Sequence, residues 1–478
     1  MSKHEYAKKT LAAALAAVML AGCGVNASPK DDTAKDKEPI VSDNSKDNNS
    51  DAPTQQEDIT KEDNPAANDN SDDNNSPIAP TAQNSDTALK PISVEISPSF
   101  AGGIEEECYE ALNRFSFDLY NKIAKESGEK SSVMSSLSAH YALGMLLQGA
   151  KGETAAEISE ALGISTNEAA VMAYIINNQY RELSKNTDTA LNIANGIFMA
   201  DRLDTSSCEP TYTALENYSA EAFSGELSDD YAREFINNWV SERTDGMIPD
   251  VLDENLDESA ILVLINTILL DAKWQSPFIY YGEAPKMDFT SPSGETAQLE
   301  ALAGEKFIEH IDAPDAKGLI LDYSDGRLKF AAIMPKNAND SEFIGGMSYE
   351  KFAEYIGSAK SELCYMEMPK FTIESSIDLN DTAKAMGMEL IFDEKDADLS
   401  GFGVSPNGNI FVSRIFQKAK IEVAEEGTKA AAATVVEASD GCALMDPPPQ
   451  IILDHSFFYC VYDSETMTPL FMGRFSGE

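Results

Sequence analysis

The sequence predicts an α+β fold built as a single large domain, and three observations predict it. Apolar residues recur at helical spacing in the first part of the chain beyond Phe100, whereas strand-like runs crowd the last part. Residues 261–270 are apolar on both parities and rich in branched side chains, the pattern of a central strand buried on both faces. The composition also changes sharply near Phe100, from polar and acidic to core-forming, and no internal repeat is visible.

In chain order, Lys3, Lys8 and Lys9 precede an apolar run over residues 11–20, too short to cross a bilayer. The run ends in Leu20-Ala21-Gly22-Cys23. A positive end, a short apolar core and small residues at the cut make residues 1–23 a secretory signal. The Leu-Ala-Gly-Cys ending resembles the lipobox of bacterial lipoproteins, which implies that cleavage leaves Cys23 as the lipid-bearing first residue. The expected localisation is therefore the cell surface, on the outer face of the envelope, with the membrane held through Cys23. No later stretch is long and apolar enough to span. Residues 24–100 are dominated by Asp, Asn, Ser, Thr, Pro, Ala, Lys and Glu, with no aromatic between Tyr6 and Phe100. Such a stretch cannot bury enough apolar surface to offset chain entropy. It is expected to be a disordered stalk holding the folded part roughly 40–50 Å from the membrane. Its Asn/Asp run at 68–75 lacks the glycine and closing glutamate of a calcium loop.

The domain expected over residues 101–478 starts with a helix at 108–124, whose apolar face is Leu112, Phe115, Phe117, Leu119, Tyr120 and Ile123. A short strand and cap follow at 131–138, then helices at 139–149 and 154–162, the second stopped at Gly163. Another helix begins near Phe235 and Trp239 and ends at Gly246. After the buried strand, 319–323 and 328–334 form a hairpin about Ser324-Asp325-Gly326. Residues 371–373, 410–415 and 421–423 are further strands, and 470–474 closes the sheet.

Composition excludes several functions. A net charge of −45 is wrong for nucleic-acid backbones and for anionic lipid, and much of the acid lies in the first hundred residues, as expected of a solvated tail. Of six cysteines, those other than Cys23 are scattered and odd in number, with neither a disulfide framework nor zinc spacing. Four histidines are spread over the chain without a catalytic or metal constellation. No cofactor, no metal and no enzymatic activity are expected.

The stretch around which the rest is organised runs from Glu425 to Ala438. Its alanines favour helix, Gly427 breaks it, and the threonine and valines favour strand. At period two the conflict resolves. Thr428, Ala430, Ala432, Thr434, Val436 and Ala438 share one parity, all small or uncharged, while Lys429 and Glu437 lie on the other. That is a strand able to bury one face, ending where the even parity meets Asp440. A surface helix or linker fits the same alanines when the stretch is taken by itself.

With these segments placed, the chain resembles the serpin family from about Glu105 to Glu478. Asn266-Thr267-Ile268-Leu269-Leu270-Asp271-Ala272-Lys273-Trp274-Gln275-Ser276-Pro277-Phe278 looks like its strand-to-loop signature. Asn238-Trp239 through Thr244-Asp245-Gly246-Met247-Ile248 looks like its helix end. Met368-Pro369-Lys370-Phe371, Met386-Gly387-Met388 and Ala397-Asp398-Leu399-Ser400-Gly401 follow in the family's order, and Phe471-Met472-Gly473-Arg474 ends the chain as serpins do. The resemblance implies helices packed around three β-sheets with an exposed reactive-centre loop. It implies a suicide-substrate inhibitor: a protease attacks the loop, forms an acyl-enzyme, and is trapped when the loop inserts as a new strand of the main sheet. Glu425, Gly427, Thr428, Ala430, Ala432 and Thr434 would be the loop hinge, with Glu425 paired to Lys370. Ser135, Ser138, Asn266, Trp274, Lys370 and Gln417 would hold the central strands together. Two departures bear on that latch: the family's Ser-Pro-x-Ser reads Ser135-Ser136-Leu137-Ser138, and its histidine is Gln417, which still donates and accepts hydrogen bonds.

The scissile bond is set by two anchors that disagree. Family spacing from Glu425 reaches Gly441-Cys442, and spacing back from Asp454-His455 reaches Met445-Asp446. The parity break at Asp440 favours Cys442-Ala443, with Gly441, Leu444 and Met445 as the other candidates. All are small or apolar, so the expected targets are extracellular serine proteases of elastase or chymotrypsin type, held in covalent complex by a monomeric inhibitor. Pro447-Pro448-Pro449 stiffens the far side as polyproline II. The competing function is a non-inhibitory surface serpin, cleaved as bait or acting as a binding protein.

Overall fold

The computed structural model describes residues 89–92, 104–338, 340–428 and 447–477. They lie in a compact unit spanning Pro80–Glu478. The signal, Cys23 and the stalk up to residue 88 lie outside the described residues.

In chain order the elements are β1 (Lys90–Ile92), α1 (Glu106–Ser127), β2 (Ser132–Met134), α2 (Ser136–Gly149), α3 (Gly152–Leu162), α4 (Thr166–Asn186) and β3 (Ala190–Ala200). Next come α5 (Glu209–Leu215), β4 (Ala220–Gly225), α6 (Asp230–Arg243), β5 (Leu262–Lys273), β6 (Lys286–Thr290), β7 (Thr296–Asp312), β8 (Ala316–Asp322) and β9 (Leu328–Pro335). The remainder is α7 (Ser341–Gly345), α8 (Tyr349–Ser358), β10 (Lys360–Pro369), β11 (Phe371–Asp378), α9 (Asn380–Ala385), β12 (Arg414–Val423), β13 (Gly427–Thr428), β14 (Gln450–Ile452), β15 (Phe457–Asp463) and β16 (Pro469–Phe475).

Two hydrogen-bonded sheets carry the fold. The main sheet has seven strands in the order β1-β4-β3-β5-β13-β12-β11, and the second has nine, with β6 pairing off its path onto β7. Strand β7 spans Thr296–Asp312, pairing with β6 over its first five residues and with β10 and β8 beyond them, so it ties a small β6–β7 sheet to the second large one. Leu262 to Leu270 of β5 are buried without exception, as the doubly apolar run requires.

Helix α2 packs inside this frame. Its N-cap Ser135 accepts from the Ser138 amide at 3.3 Å, satisfying one orphan donor of the first turn. Every residue from Ser136 to Leu147 is buried, so this helix has no polar face and lies inside the fold. A second, smaller core lies between α6 and the main sheet, formed by Leu89, Phe198, Phe223, Ile236, Trp239, Val263 and Ile265.

Two sequence expectations are corrected. Residues 24–100 are not all stalk: Lys90–Ile92 pairs antiparallel with Ser224 to Ala222 on β4, and Leu89 is buried in the second core. Residues 410–413 are not strand; β12 starts at Arg414, and the Val412 amide donates to the Ile391 carbonyl instead of joining a ladder. The strands read at 410–415 and 421–423 are thus one strand and a buried lead-in. Four cysteines, Cys108, Cys208, Cys364 and Cys460, are unpaired and buried.

Candidate functional site

The hinge stretch enters the structure as the top of the main sheet. Strand β12 ends at Val423, the chain turns through residues 424–427, and Thr428 pairs back antiparallel with Val423. On its other side Gly427–Thr428 pairs antiparallel with Lys273 and Ala272 of β5. These two residues therefore already sit as a strand between β5 and β12. Lower down the two strands meet directly and in parallel, Arg414 to Gln417 against Val263 to Asn266. Between these contacts, no described strand separates β5 from β12.

The turn is held almost entirely by the segment that follows β5. The Trp274 amide donates to the Glu426 carbonyl and the Phe278 amide to the Glu425 carbonyl, both at 2.8 Å. The Trp274 indole Nε1 donates to the Ala424 carbonyl at 2.8 Å, and its ring stacks on Tyr323 with centroids 4.6 Å apart. Gly427 must be glycine because a Cβ there would collide with the Ala272 carbonyl oxygen. Thr428 is buried and its hydroxyl lies 2.5 Å from the Tyr323 hydroxyl. Burial pushes that phenol well above the usual range, so it stays protonated and available for the bond.

Glu425 and Lys370 pair at 3.2 Å, with Glu300 at 3.4 Å from the same ammonium. Desolvation alone would lower the Lys370 pKa, but the two carboxylates outweigh it and the pKa is raised. The pair is partly solvated, so its worth is modest and geometric.

A polar network joins the central strands lower in the sheet. Gln417 Nε2 donates to the Ser135 carbonyl at 2.7 Å and to Ser138 Oγ at 3.1 Å, while its Oε1 accepts from the Ser135 amide at 3.0 Å. Ser138 Oγ donates to Asn266 Oδ1, Asn266 Nδ2 to Asn195 Oδ1, and Asn195 Nδ2 to the Tyr218 carbonyl at 2.7 Å. The glutamine in place of histidine thus keeps both donor and acceptor roles. Ser136, where the family has proline, donates its hydroxyl to the Pro469 carbonyl at 3.0 Å.

Of the sequence-predicted site residues, Glu425, Gly427, Thr428, Trp274 and Lys370 come together at the top of the sheet, and Ser135, Ser138, Asn266 and Gln417 come together below it. Ala430, Ala432, Thr434 and the scissile candidates Gly441, Cys442, Ala443, Leu444 and Met445 lie outside the described residues, as does Cys23. Beyond them, Pro449 accepts from the Tyr365 amide at 2.9 Å and β14 pairs in parallel with β10. Sequence reasoning missed Tyr323 and Asn195. The second carried a signal, since an asparagine just ahead of the apolar end of β3 is costly on burial unless bonded.

Comparisons with known proteins agree with this geometry. The family model described as Serpin (serine protease inhibitor) matches residues 110–477. Serpin B8 of Bos taurus is 30% identical over 377 residues, covering 77% of this chain and 98% of its own. The leukocyte elastase inhibitor of Xenopus laevis is 31% identical over 393 residues, covering 78% and 99%. Among solved structures, the thermophilic serpin tengpin in its native state superposes with a TM-score of 0.74 at 28% identity, covering 80% of this chain and 98% of that one. A hinge seated between the central strands, the latch beneath it and the matched span together place the chain in one family: it belongs to the serpins, a family of serine protease inhibitors.

Proposed function

We propose that this protein is a suicide-substrate inhibitor of extracellular serine proteases with a preference for small or apolar residues in the S1 pocket, held at the cell surface by lipid on Cys23. The observation that carries the reading is the seating of Gly427–Thr428 between β5 and β12, bonded to both. A strand that is to grow between two others needs a nucleus, and this one supplies it with Thr428 already buried; continued at the same parity, the inserted strand would turn its small residues inward.

The chemistry begins with the protease. Its serine Oγ attacks the Cys442 carbonyl, its histidine takes the hydroxyl proton and returns it to the leaving Ala443 amine, and an ester to Cys442 remains. Freed from Ala443, the segment from Lys429 onward extends the β13 nucleus antiparallel to β12 and carries the acyl-enzyme with it. Distortion of the oxyanion hole then stalls hydrolysis; loss of one donor alone costs about 10²–10³ in rate. The leukocyte elastase inhibitor among the relatives supports an elastase-type target.

Mixing the protein with neutrophil or pancreatic elastase should give a complex that survives boiling in SDS, and mass spectrometry should find the ester at Cys442. Nicked inhibitor beside fully active protease would instead mean a surface serpin serving as substrate or bait.

A further inference from the structure

The clamp that holds the hinge is itself held. Residues 274–278 supply the donors to Ala424, Glu425 and Glu426, yet they form the exit from β5 and contain Pro277, so they have little ladder of their own. Upstream, Gln275 bonds the Asp322 carbonyl at 2.9 Å. Residues 276–278 are tied down from β7 by one side chain. Lys306 Nζ donates to the Ser276 carbonyl at 2.7 Å, to Ser276 Oγ at 3.0 Å and to the Pro277 carbonyl at 2.9 Å. The same ammonium lies 4.2 Å from the centroid of the Phe278 ring. All three of its protons are thus directed into one short segment.

The partners of the Lys306 ammonium among the described residues are carbonyls, a hydroxyl and a ring rather than a carboxylate, in a protein whose acidic residues far outnumber its basic ones. A lysine placed for solubility would point outward to such partners. This one is turned inward onto carbonyls and an aromatic face, and burial pushes its pKa down to about 8. Its position is thus maintained at a desolvation cost, which suggests that the geometry has a use.

We infer that Lys306 is a positioning residue for loop insertion: it fixes residues 276–278 so that the Phe278 amide holds Glu425 and Thr428 starts the new strand in register. It acts through the clamp and touches no part of the protease or the scissile bond. The inference rests on the inhibitory reading. The chain of contacts is short: Lys306 to Pro277, Phe278 to Glu425, and Glu425 two residues from the nucleus at Gly427–Thr428. A clamp free to shift would let the hinge turn open, and insertion would lose its race with deacylation.

The test measures insertion without requiring that any protease be trapped. In the full-length chain carrying Trp239→Phe, Trp274 is the remaining tryptophan and reports the top of the sheet. The loop is cut with a metalloprotease, which forms no acyl-enzyme, and the rate of the Trp274 fluorescence change is followed. Lys306→Met keeps the apolar stem but removes all three donors; Lys306→Arg keeps a cation able to bond carbonyls. The expected result is insertion slowed at least about tenfold in the Met variant, with the Arg variant restored to within about threefold of the parent. Met insertion at the parental rate overturns the inference, and so does equal slowing in Met and Arg, which would mark Lys306 as packing only. A parent chain that shows neither a fluorescence change nor a gain in melting temperature on cleavage sinks the inhibitory reading, and the role of Lys306 with it.

Discussion

At Thr428 the side chain is 2% exposed and its hydroxyl meets Tyr323, so an arginine there would have to bury its charge against a phenol and two strands. Burying an unpaired charge costs several kcal/mol. Thr428→Arg should therefore convert inhibitor to substrate, seen as cleaved loop with undiminished elastase activity; unchanged inhibition would remove the insertion mechanism. His140 is a different case. It is buried in α2 with neither ring nitrogen bonded, its ring meeting Phe115 edge-on at 5.4 Å. Burial lowers its pKa to about 3. Above the ordinary histidine pKa, near 6.5, both folded and unfolded states are neutral and the residue adds no pH dependence. As pH falls from there toward 3, only the unfolded chain takes the proton, and stability drops by about 1.4 kcal/mol per pH unit. His140→Leu should flatten that decline, checked by urea unfolding at pH 7 and at pH 4.5. The gain over the parent should appear mainly at the lower pH.

Among the elements, the joint between β5, β12 and the start of α2 sets how readily the main sheet opens. Gln417 contributes three bonds there, to the Ser135 amide, the Ser135 carbonyl and Ser138 Oγ. Gln417→Ala leaves buried polar groups unpaired, so unfolding stability should fall by about 2–4 kcal/mol. Warmed samples should also lose inhibitory activity faster than the parent, followed by residual complex formation over time. The latch itself was legible in the sequence, because its residues sit in motifs with fixed spacing and a glutamine can replace the bonding of a histidine. Other elements were not legible. Strand β1 contains Lys90 and Pro91, poor strand formers, and forms only because β4 offers an open edge. Strand β7 alternates glutamate, lysine and glycine with short apolar pieces, so its seventeen residues never show one period. The apolar run before Arg414 reads as strand by composition, yet tertiary contact with Ile391 decides its conformation.

For the molecule as a whole, the prediction concerns stored free energy. If the native sheet is a strained state awaiting a strand, cutting the loop should raise the melting temperature by at least about 10 °C, of the order of 5 kcal/mol released for a domain this size. Calorimetry before and after limited proteolysis checks this, and an unchanged midpoint would mean a relaxed native state. The parity of the hinge was readable as a demand for burial, but its actual seating was not, because it depends on the Ala272 carbonyl, the Trp274 indole and Tyr323, which come from remote parts of the chain. Both stems of the loop are bonded to the frame: Thr428 to β5 and β12, and Pro449 to the Tyr365 amide. Within that tethered span, residues 441–446 can therefore be treated as an exchangeable cassette, provided the small residues sharing the parity of Thr428 are kept. If the trap works as proposed, choice of prey would be rewritten within that short insert while the inserting ribbon is left untouched, which makes the scaffold a starting point for inhibitors of altered specificity.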